Sequence, residues 1–449
     1  MIPVRNKKIA VIGAARSGIS VARLLRKHNA IVFVSDSKPL KVMREAMAQL
    51  DELAVQYEFG KHTGKILECD VIVLSPGVPQ DIPILKLAQQ EGKKIYSEIE
   101  VAYQYCESPI VAITGSNGKT TTTTLAGEIF KRAGRNTFVA GNIGVAFSDV
   151  VGFADEKSVV VLEVSSFQLE QIHDFRPKVS VLLNLSPDHL DRYASYEDYV
   201  QAKFRIVENQ RGRDVFVYNY DDTAVREFAE TLTIKTLPFS RESKMKHGAY
   251  VQDGNIFFSM EKKDEPLMLA AEVGIRGAHN LSNAMAAALA ARAMDIDSKS
   301  IREALQSFTG VEHRLEFVRE VEGVKYINDS KATNVDAVSY ALQSFTEPII
   351  LIAGGKDKGA SYAPLHGLVK NKVKEIVLIG EAAEKMEKEF KDVALCIRTT
   401  SLERAVNEAH AKATYGDVVL LSPACASFDM FDNYEHRGRV FKEIVNSLN

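Results

Sequence analysis

Ile110-Val111-Ala112-Ile113-Thr114-Gly115-Ser116-Asn117-Gly118-Lys119-Thr120 is the stretch that decides how the rest of this chain is read. Apolar and β-branched residues predict a buried strand, two glycines bracket a turn, and the threonine run from Thr120 to Thr124 opens a helix. A helix N-terminus offers unpaired N–H groups and a positive dipole to an anion. Lys119 suits β- and γ-phosphates, and a hydroxyl of Thr120 or Thr121 suits Mg²⁺. The usual spacing Gly-x-x-x-x-Gly-Lys-Ser/Thr is not met, because Ile113 stands at the first glycine; the loop is a variant with its glycine at 115. The expected nucleotide contacts are Gly115, Ser116, Asn117, Gly118, Lys119, Thr120 and Thr121. A tight turn with a chance Gly-Lys-Thr is the plainer alternative, but strand and helix both stand in place.

Outward from this loop the same pattern recurs. Ile9–Gly13, Ile31–Ser35, Val71–Ser75, Val159–Glu163, Val179–Asn184, Ile349–Gly354, Ile376–Gly380 and Val418–Ser422 read as continuous apolar strands. Such runs suit parallel strands covered on both faces, and alternation with helices predicts doubly wound α/β sheets. At 449 residues the chain exceeds a single core, which stops growing near ~250–300 residues. Boundaries near Ser97 and Gly310 give three expected domains: 1–97, Rossmann-like; 98–310, a central P-loop-type domain with a mainly parallel sheet; and 311–449, a Rossmann-like α/β domain. Asp214–Glu272 is expected to carry antiparallel strands.

Lys+Arg number 56 against 59 Asp+Glu, a formal charge of −3, which argues against nucleic-acid binding by bulk charge. No apolar run reaches the ~18 residues of a membrane span, and the N-terminus lacks the features of a signal peptide. The four cysteines, Cys69, Cys106, Cys396 and Cys425, lie far apart; no disulfide framework or zinc site is expected, and a reducing cytoplasm fits.

Gly13-Ala14-Ala15-Arg16-Ser17-Gly18, with Asp36 ending the second strand, resembles a dinucleotide fingerprint. Ala15 replaces the glycine that lets a pyrophosphate come close, which weakens an NAD reading; some other diphosphate ligand is expected, or else the glycines of this Rossmann-like domain serve only packing. Glu163 at a strand end beside the phosphate loop is placed for Mg²⁺, which takes oxygen ligands. His189, in Ser186-Pro187-Asp188-His189-Leu190-Asp191-Arg192-Tyr193, is a ligand, a base or structural. Asn280 and Asn283 share a helix face, suited to adenine or phosphate, or else Asn280 only caps its helix. Asn328-Asp329-Ser330-Lys331-Ala332-Thr333-Asn334 gathers cation, hydroxyl and carboxylate in one turn, and similar turns follow at Gly354–Gly359 and Ser422–Asp429.

Taken in order, these segments closely resemble the Mur ligases over essentially the whole chain: Thr114–Thr120, Gly141-Asn142-Ile143-Gly144, Glu163, Asp188–Tyr193, His279-Asn280, His313-Arg314, Asn328–Asn334 and Ser422–Ser427. The resemblance implies a first domain binding the uridine diphosphate of a substrate, a second binding ATP, and a third that binds the incoming amino acid and swings over the site, with hinges near 97 and 310. It implies UDP-N-acetylmuramoyl-L-alanine and D-glutamate as substrates, ATP, and two Mg²⁺ ions. Lys119 and Thr120 would hold phosphates and one Mg²⁺, with Glu163 a further ligand and Asn142 near the sugar-peptide and metals. His189 would ligate the second Mg²⁺. Lys203 aligns with a lysine that becomes carbamylated and then binds or orients Mg²⁺. Asn280, Asn283, Arg314 and Asp329 would hold the nucleotide. Ser17, Asp36, Ser37, Ser75, Gly77, Ser165 and Gln168 would meet the UDP-sugar substrate. Lys331, Thr333, Lys358 and Ser427 would hold glutamate carboxylates; Tyr434, where relatives often have Phe, would act through its backbone. A monomer is the expected state.

Neighbouring members differ at readable positions. The L-alanine-adding ligase usually has His where Asn117 stands, and the diaminopimelate- or lysine-adding ligase carries Asp-Asn-Pro-Arg, where this chain has Asp432-Asn433-Tyr434. Folylpolyglutamate synthetase lacks the UDP-binding front domain. A Rossmann oxidoreductase leaves the Lys119 loop unexplained, and a nucleotide switch has no need of Glu163, His189 and Lys203 together.

Overall fold

The structure, a computed structural model, describes residues 2–188, 192–260 and 263–448. His189 therefore lies outside the described residues. The chain is α/β, with three sheets that are mostly parallel. It divides into two compact units, one of Met1–Val273 with Ser282–Ser307, the other of Gly274–Leu281 with Phe308–Asn449.

In the first unit, a five-stranded parallel sheet has the order Gln56–Phe59, Ile31–Asp36, Lys8–Ile12, Val71–Leu74, Lys94–Ser97. The first strand lies in the middle, so strand order reverses beside it. Ligands bind in the crevice at such a reversal, outside the carboxyl ends of the strands. The turns at Gly13 and Ser75 flank it. Lys94–Ser97 is the edge strand of this sheet, and Ser97 then caps the helix Glu98–Tyr103 through its side chain.

The same unit holds a nine-stranded sheet, ordered Lys263–Leu269, Asn255–Met260, Gly248–Gln252, Lys235–Ser240, Val215–Asn219, Val179–Leu182, Ile110–Thr114, Val159–Glu163, Thr137–Gly141. The antiparallel strands expected within Asp214–Glu272 are present in its last part, while its first part is parallel. Val215–Asn219 and Lys235–Ser240 run parallel to their neighbours, joined by the crossover helix Thr223–Glu230; only the last two pairings are antiparallel. Polar residues scattered through the turns, the helix and the later strands of that stretch hid a further βαβ unit. Register sets Glu163 beside Ile113 and Leu182 beside Thr114, so the phosphate-loop strand sits between two strands whose ends carry Glu163 and Asn184.

Two buried carboxylates join these layers. Glu100 accepts the backbone N–H groups of His173, Asp174 and Phe175, each at 2.9 Å. Glu98 accepts both the backbone N–H and the hydroxyl of Ser148 through one oxygen.

In the second unit, a six-stranded sheet has the order Glu316–Val321, Val324–Asn328, Val418–Leu421, Ile349–Gly354, Val373–Ile379, Leu395–Arg398, parallel except for its first pair. The turns after Asn328, Gly354 and Leu421 thus gather at one end of adjacent strands.

Candidate active site

The phosphate loop is a built cradle. Gly115 and Gly118 have φ of +153° and +83°, and the left-handed Gly118 caps the helix Lys119–Arg132. A Cβ at Gly118 would stand 2.2 Å from Asn283 Oδ1, so the absent side chain is what lets Asn283 lie against the loop. The Lys119 ammonium donates to the Gly115 and Ser116 carbonyls, both at 2.9 Å. Neighbouring residues hold the loop from behind. Ser116 Oγ is 2.9 Å from Tyr199 Oη and donates to the Ser186 carbonyl. The Asn117 N–H donates to Asn184 Oδ1 at 2.8 Å, and the Asn184 amide returns a bond to the Asn117 carbonyl. Ser116 and Asn117, expected to touch nucleotide, thus spend these groups on the loop's shape. The helix N-terminus, Lys119 and Thr120 stand together at this loop.

Beside the loop runs a chain of oxygen donors. Glu163 is buried; Thr120 Oγ1 donates to one of its oxygens at 2.7 Å and Asn142 Nδ2 to the other at 2.8 Å. Asn142 also donates its backbone N–H to the Glu163 carbonyl, following Gly141 at φ +105°. Carboxylate, hydroxyl and amide oxygen are the donor set that Mg²⁺ requires. Thr121 differs: it is buried one position along the helix and its hydroxyl meets no partner, so it turns into the core rather than toward Glu163.

Lys203 is only 1% exposed. Its amine donates to the Gly115 carbonyl at 2.9 Å and lies 4.7 Å from the Tyr199 ring centre. Burial, and then the Lys119 charge, push its pKa well below that of ordinary lysine, against the pull of Asp188 and Glu163. Tyr199 precedes Lys203 by one helical turn, an i,i+4 spacing from which its role was readable in the sequence but was missed.

On the first sheet the two turns interlock. Ser75 Oγ donates to the Gly13 carbonyl at 3.0 Å, and a Cβ at Gly18 would collide with that carbonyl at 1.8 Å. Asp36 accepts the N–H of Ala14 at 2.7 Å and that of Lys38 at 2.8 Å. Both its oxygens therefore brace the turn. A cavity of about 430 Å³ opens beside it, lined by Ala15, Arg16, Asp36, Lys38, Met43 and Gln49 among others, a size that suits a small ligand. Ser17 is half-buried, and Ser37 and Gly77 are exposed. Ser165 and Gln168 form a reciprocal capping box, and the buried Gln168 Nε2 meets no partner.

The second unit carries the remaining expected residues. Asp329 is buried; Ser422 Oγ donates to it at 2.8 Å and the Leu315 N–H at 3.2 Å. Burial lifts its pKa to about 6 against the nearby Arg314 charge. Asn280 donates its amide to the Arg276 carbonyl at 2.8 Å. Ser330 Oγ donates to the Tyr434 carbonyl, and the Lys331 ammonium lies 5.2 Å from the Tyr434 ring centre. Ser427 is buried, Thr333 half-buried and Lys358 exposed. Arg437 was not foreseen. It is buried and donates to Ser330 and to the Cys425 and Ala426 carbonyls, pinning the Asn328–Asn334 turn to the Ser422–Ser427 turn.

The sequence and the fold of this chain match known proteins. The Mur ligase middle domain profile matches residues 113–291, the Mur ligase glutamate ligase domain 313–425, and the MurD N-terminal domain 8–83. The UDP-N-acetylmuramoylalanine–D-glutamate ligase of Salinibacter ruber is 49% identical, covering 99% of both chains. That of Geotalea uraniireducens is 47% identical over 99% of this chain and 98% of its own. The chain belongs to the Mur ligase family. Among solved structures, a pseudomurein peptide ligase type C from Methanothermus fervidus aligns with a TM-score of 0.62 at 21% identity, covering 99% of this chain and 100% of its own. The UDP-N-acetylmuramate–alanine ligase of Thermotoga maritima aligns with a TM-score of 0.63 at 19% identity, over 98% of this chain and 100% of its own. They share its fold.

Proposed function

We propose that this chain is an ATP-dependent ligase that joins the amine of D-glutamate to the carboxylate of UDP-N-acetylmuramoyl-L-alanine, a cytoplasmic step in building peptidoglycan precursors. The observation that carries the reading is the chain Thr120–Glu163–Asn142 beside Lys119, in a sequence alike along its whole length to D-glutamate ligases. Residues 1–97 bind the UDP portion, 98–310 the ATP and 311–449 the amino acid; the protein acts as a monomer.

A carboxylate is a poor acylating agent, so the γ-phosphate is first moved onto it, giving an acyl phosphate. The amine then attacks, a tetrahedral intermediate forms, and phosphate leaves. Lys119 and the helix N-terminus stabilise charge on the transferring phosphoryl group. Thr120, Glu163 and His189 would hold two Mg²⁺ ions, which would supply positive charge to offset that on the phosphates. Asn142 steadies the Glu163 carboxylate. Carbamylation turns Lys203 into an anion able to bind or orient metal; the free ammonium would repel it. Gly115, Gly118, Asn280, Asn283, Arg314 and Asp329 seat the nucleotide. Ser17, Ser37, Ser75, Gly77, Ser165 and Gln168 meet the UDP substrate, with Asp36 shaping its seat, and Lys331, Thr333, Lys358, Ser427 and Tyr434 hold the glutamate. The amine must lose a proton to attack, and its base stays unassigned.

The test is phosphate release from ATP and Mg²⁺ with UDP-N-acetylmuramoyl-L-alanine and, separately, D-Glu, L-Glu, L-Ala, L-Lys and diaminopimelate. Release with D-Glu alone, together with an amide product, is expected. Release with another amino acid moves the protein to a neighbouring step, and silence with all of them overturns the UDP-sugar reading.

A further inference from the structure

Arg192 belongs to none of the roles assigned so far, yet its side chain touches two segments far apart in sequence. One guanidinium nitrogen donates to the Pro76 carbonyl at 3.0 Å and another to the Val78 carbonyl at 3.2 Å. The central carbon of the guanidinium, Cζ, lies 3.7 Å from the Phe167 ring centre, and the group pairs with Glu170 at 3.6 Å. Gln80 donates to the same Glu170 and receives a bond from Gln171. At 18% side-chain exposure, the guanidinium is largely shielded from water.

The segments it gathers are not arbitrary. Pro76 and Val78 form the turn after Val71–Leu74, the crevice of the first sheet, with Ser75 and Gly77 in the same turn. Phe167 lies on the short helix that follows Glu163 and Ser165, and carries Gln168. Arg192 itself comes four residues after Asp188. The small cleft between these pieces, about 10 Å³, is lined by Ser75, Gln168 and Arg192, and there the Gln168 amide nitrogen is buried without a partner. One planar fork thus fixes the turn of the first sheet against the strand end that bears Glu163.

We propose that Arg192 is a positioning residue for the phosphoryl-transfer step, setting the distance from the seat of the UDP-linked substrate to the Thr120–Glu163 seat of phosphate and metal. This rests on the function proposed above. In-line attack of a carboxylate on a phosphorus atom requires reacting atoms about 3–3.5 Å apart, and a misplacement near 1 Å costs roughly 10²-fold. Both partners of that step ride on segments that Arg192 ties together. A lysine cannot replace it, because a point charge offers neither two parallel donors nor a flat face for Phe167.

The test uses the full chain with R192A and R192K. Steady-state rates are measured with all three substrates, and the acyl phosphate is trapped with hydroxylamine as a hydroxamate in the absence of D-glutamate. For R192A the expected result is a kcat lower by about 30- to 100-fold, a KM for ATP within about twofold, and a hydroxamate yield falling by the same factor as kcat. R192K recovers no more than a small part of the loss and melts close to the parent chain; should R192A not fold, R192K alone carries the comparison. Rates within twofold of the parent, with only the melting temperature lowered, would mean that Arg192 is structural glue and overturn the proposal. So would a lower kcat with undiminished hydroxamate, since the defect would then lie after the acyl phosphate. A parent chain that never turns over with D-glutamate sinks the proposed function and this inference together, whereas an active parent with unaffected variants sinks this inference alone.

Discussion

Lys203 donates its hydrogen bond to a carbonyl, the Gly115 oxygen, in a buried place shared with the charge of Lys119. Those surroundings disfavour an ammonium, so the folded-state pKa falls and the neutral amine gains population as pH rises through it. A neutral amine is the form that combines with CO₂, releasing one proton and leaving a carbamate anion. Replacing Lys203 by Ala should lower kcat by at least about 100-fold, with partial recovery in formate or acetate; full activity in that variant would remove the carbamate role. At Glu163 the expectation is different in kind. Glu163→Gln keeps a group that can accept from Thr120 but loses the charge, so the chain should remain folded while kcat falls about 100-fold and the Mg²⁺ needed for half-activity rises. A magnesium titration of both proteins, with circular dichroism for the fold, checks it. Glu163 was legible from sequence because a carboxylate ended an apolar strand. The burial of Lys203 was not, because its helix, Tyr196–Phe204, carries no strong apolar stripe to show which face is covered.

At the scale of the element, strand ends set the site. Gly141 closes the strand Thr137–Gly141 with φ +105°, and a Cβ there would stand 2.3 Å from the Glu163 carbonyl oxygen. That obstacle is backbone, which cannot rotate away. Gly141→Ala should destabilise by at least about 2 kcal/mol and shift Asn142 away from Glu163, lowering activity beyond the loss of folded protein. Urea unfolding and kcat per folded molecule separate the two effects. The apolar runs fixed nearly every parallel strand in advance, since each is covered on both faces and needs no alternation. The strands Val215–Asn219 and Lys235–Ser240 escaped because polar turns and a short helix interrupt the pattern around them. Ser116 and Asn117 carry a duty that the phosphate-loop pattern does not announce. Besides the nucleotide contacts the pattern suggests at both positions, the Ser116 hydroxyl and the Asn117 N–H hold the loop onto Asn184, Ser186 and Tyr199.

At the scale of the whole molecule, buried carboxylates hold layers together at a cost that depends on pH. Burial raises the Glu98 pKa to about 7, despite two hydrogen bonds from Ser148 and the distant Arg16 charge. Below about pH 4.5 the group is protonated in folded and unfolded chains alike. Between 4.5 and 7 the folded chain binds the proton and the unfolded chain does not, so this group's contribution to stability falls as pH rises. Above 7 the penalty is complete, on the order of 3 kcal/mol. Glu98→Gln keeps an acceptor for Ser148 and never ionises. Its stability relative to the parent should therefore rise by about that amount from pH 4.5 to pH 7.5. Urea unfolding at the two pH values measures it, and an unchanged difference would mean that Glu98 is solvated.

The sequence by itself determined the α/β class, most of the parallel strands, the phosphate loop and its carboxylate, because each is written in short-range patterns of apolar runs, glycines and helix starts. The order of whole motifs along the chain determined the family. Only the tertiary structure decided which polar groups brace the fold. Asp36 and Ser116 spend their hydrogen bonds on the backbone and neighbouring side chains, Arg437 pins two turns about a hundred residues apart in sequence, and Arg192 ties a turn of one sheet to a strand end of another. A hydrogen bond is decided by positions a few ångströms apart in space, and the chain brings those positions together only when its sheets have formed.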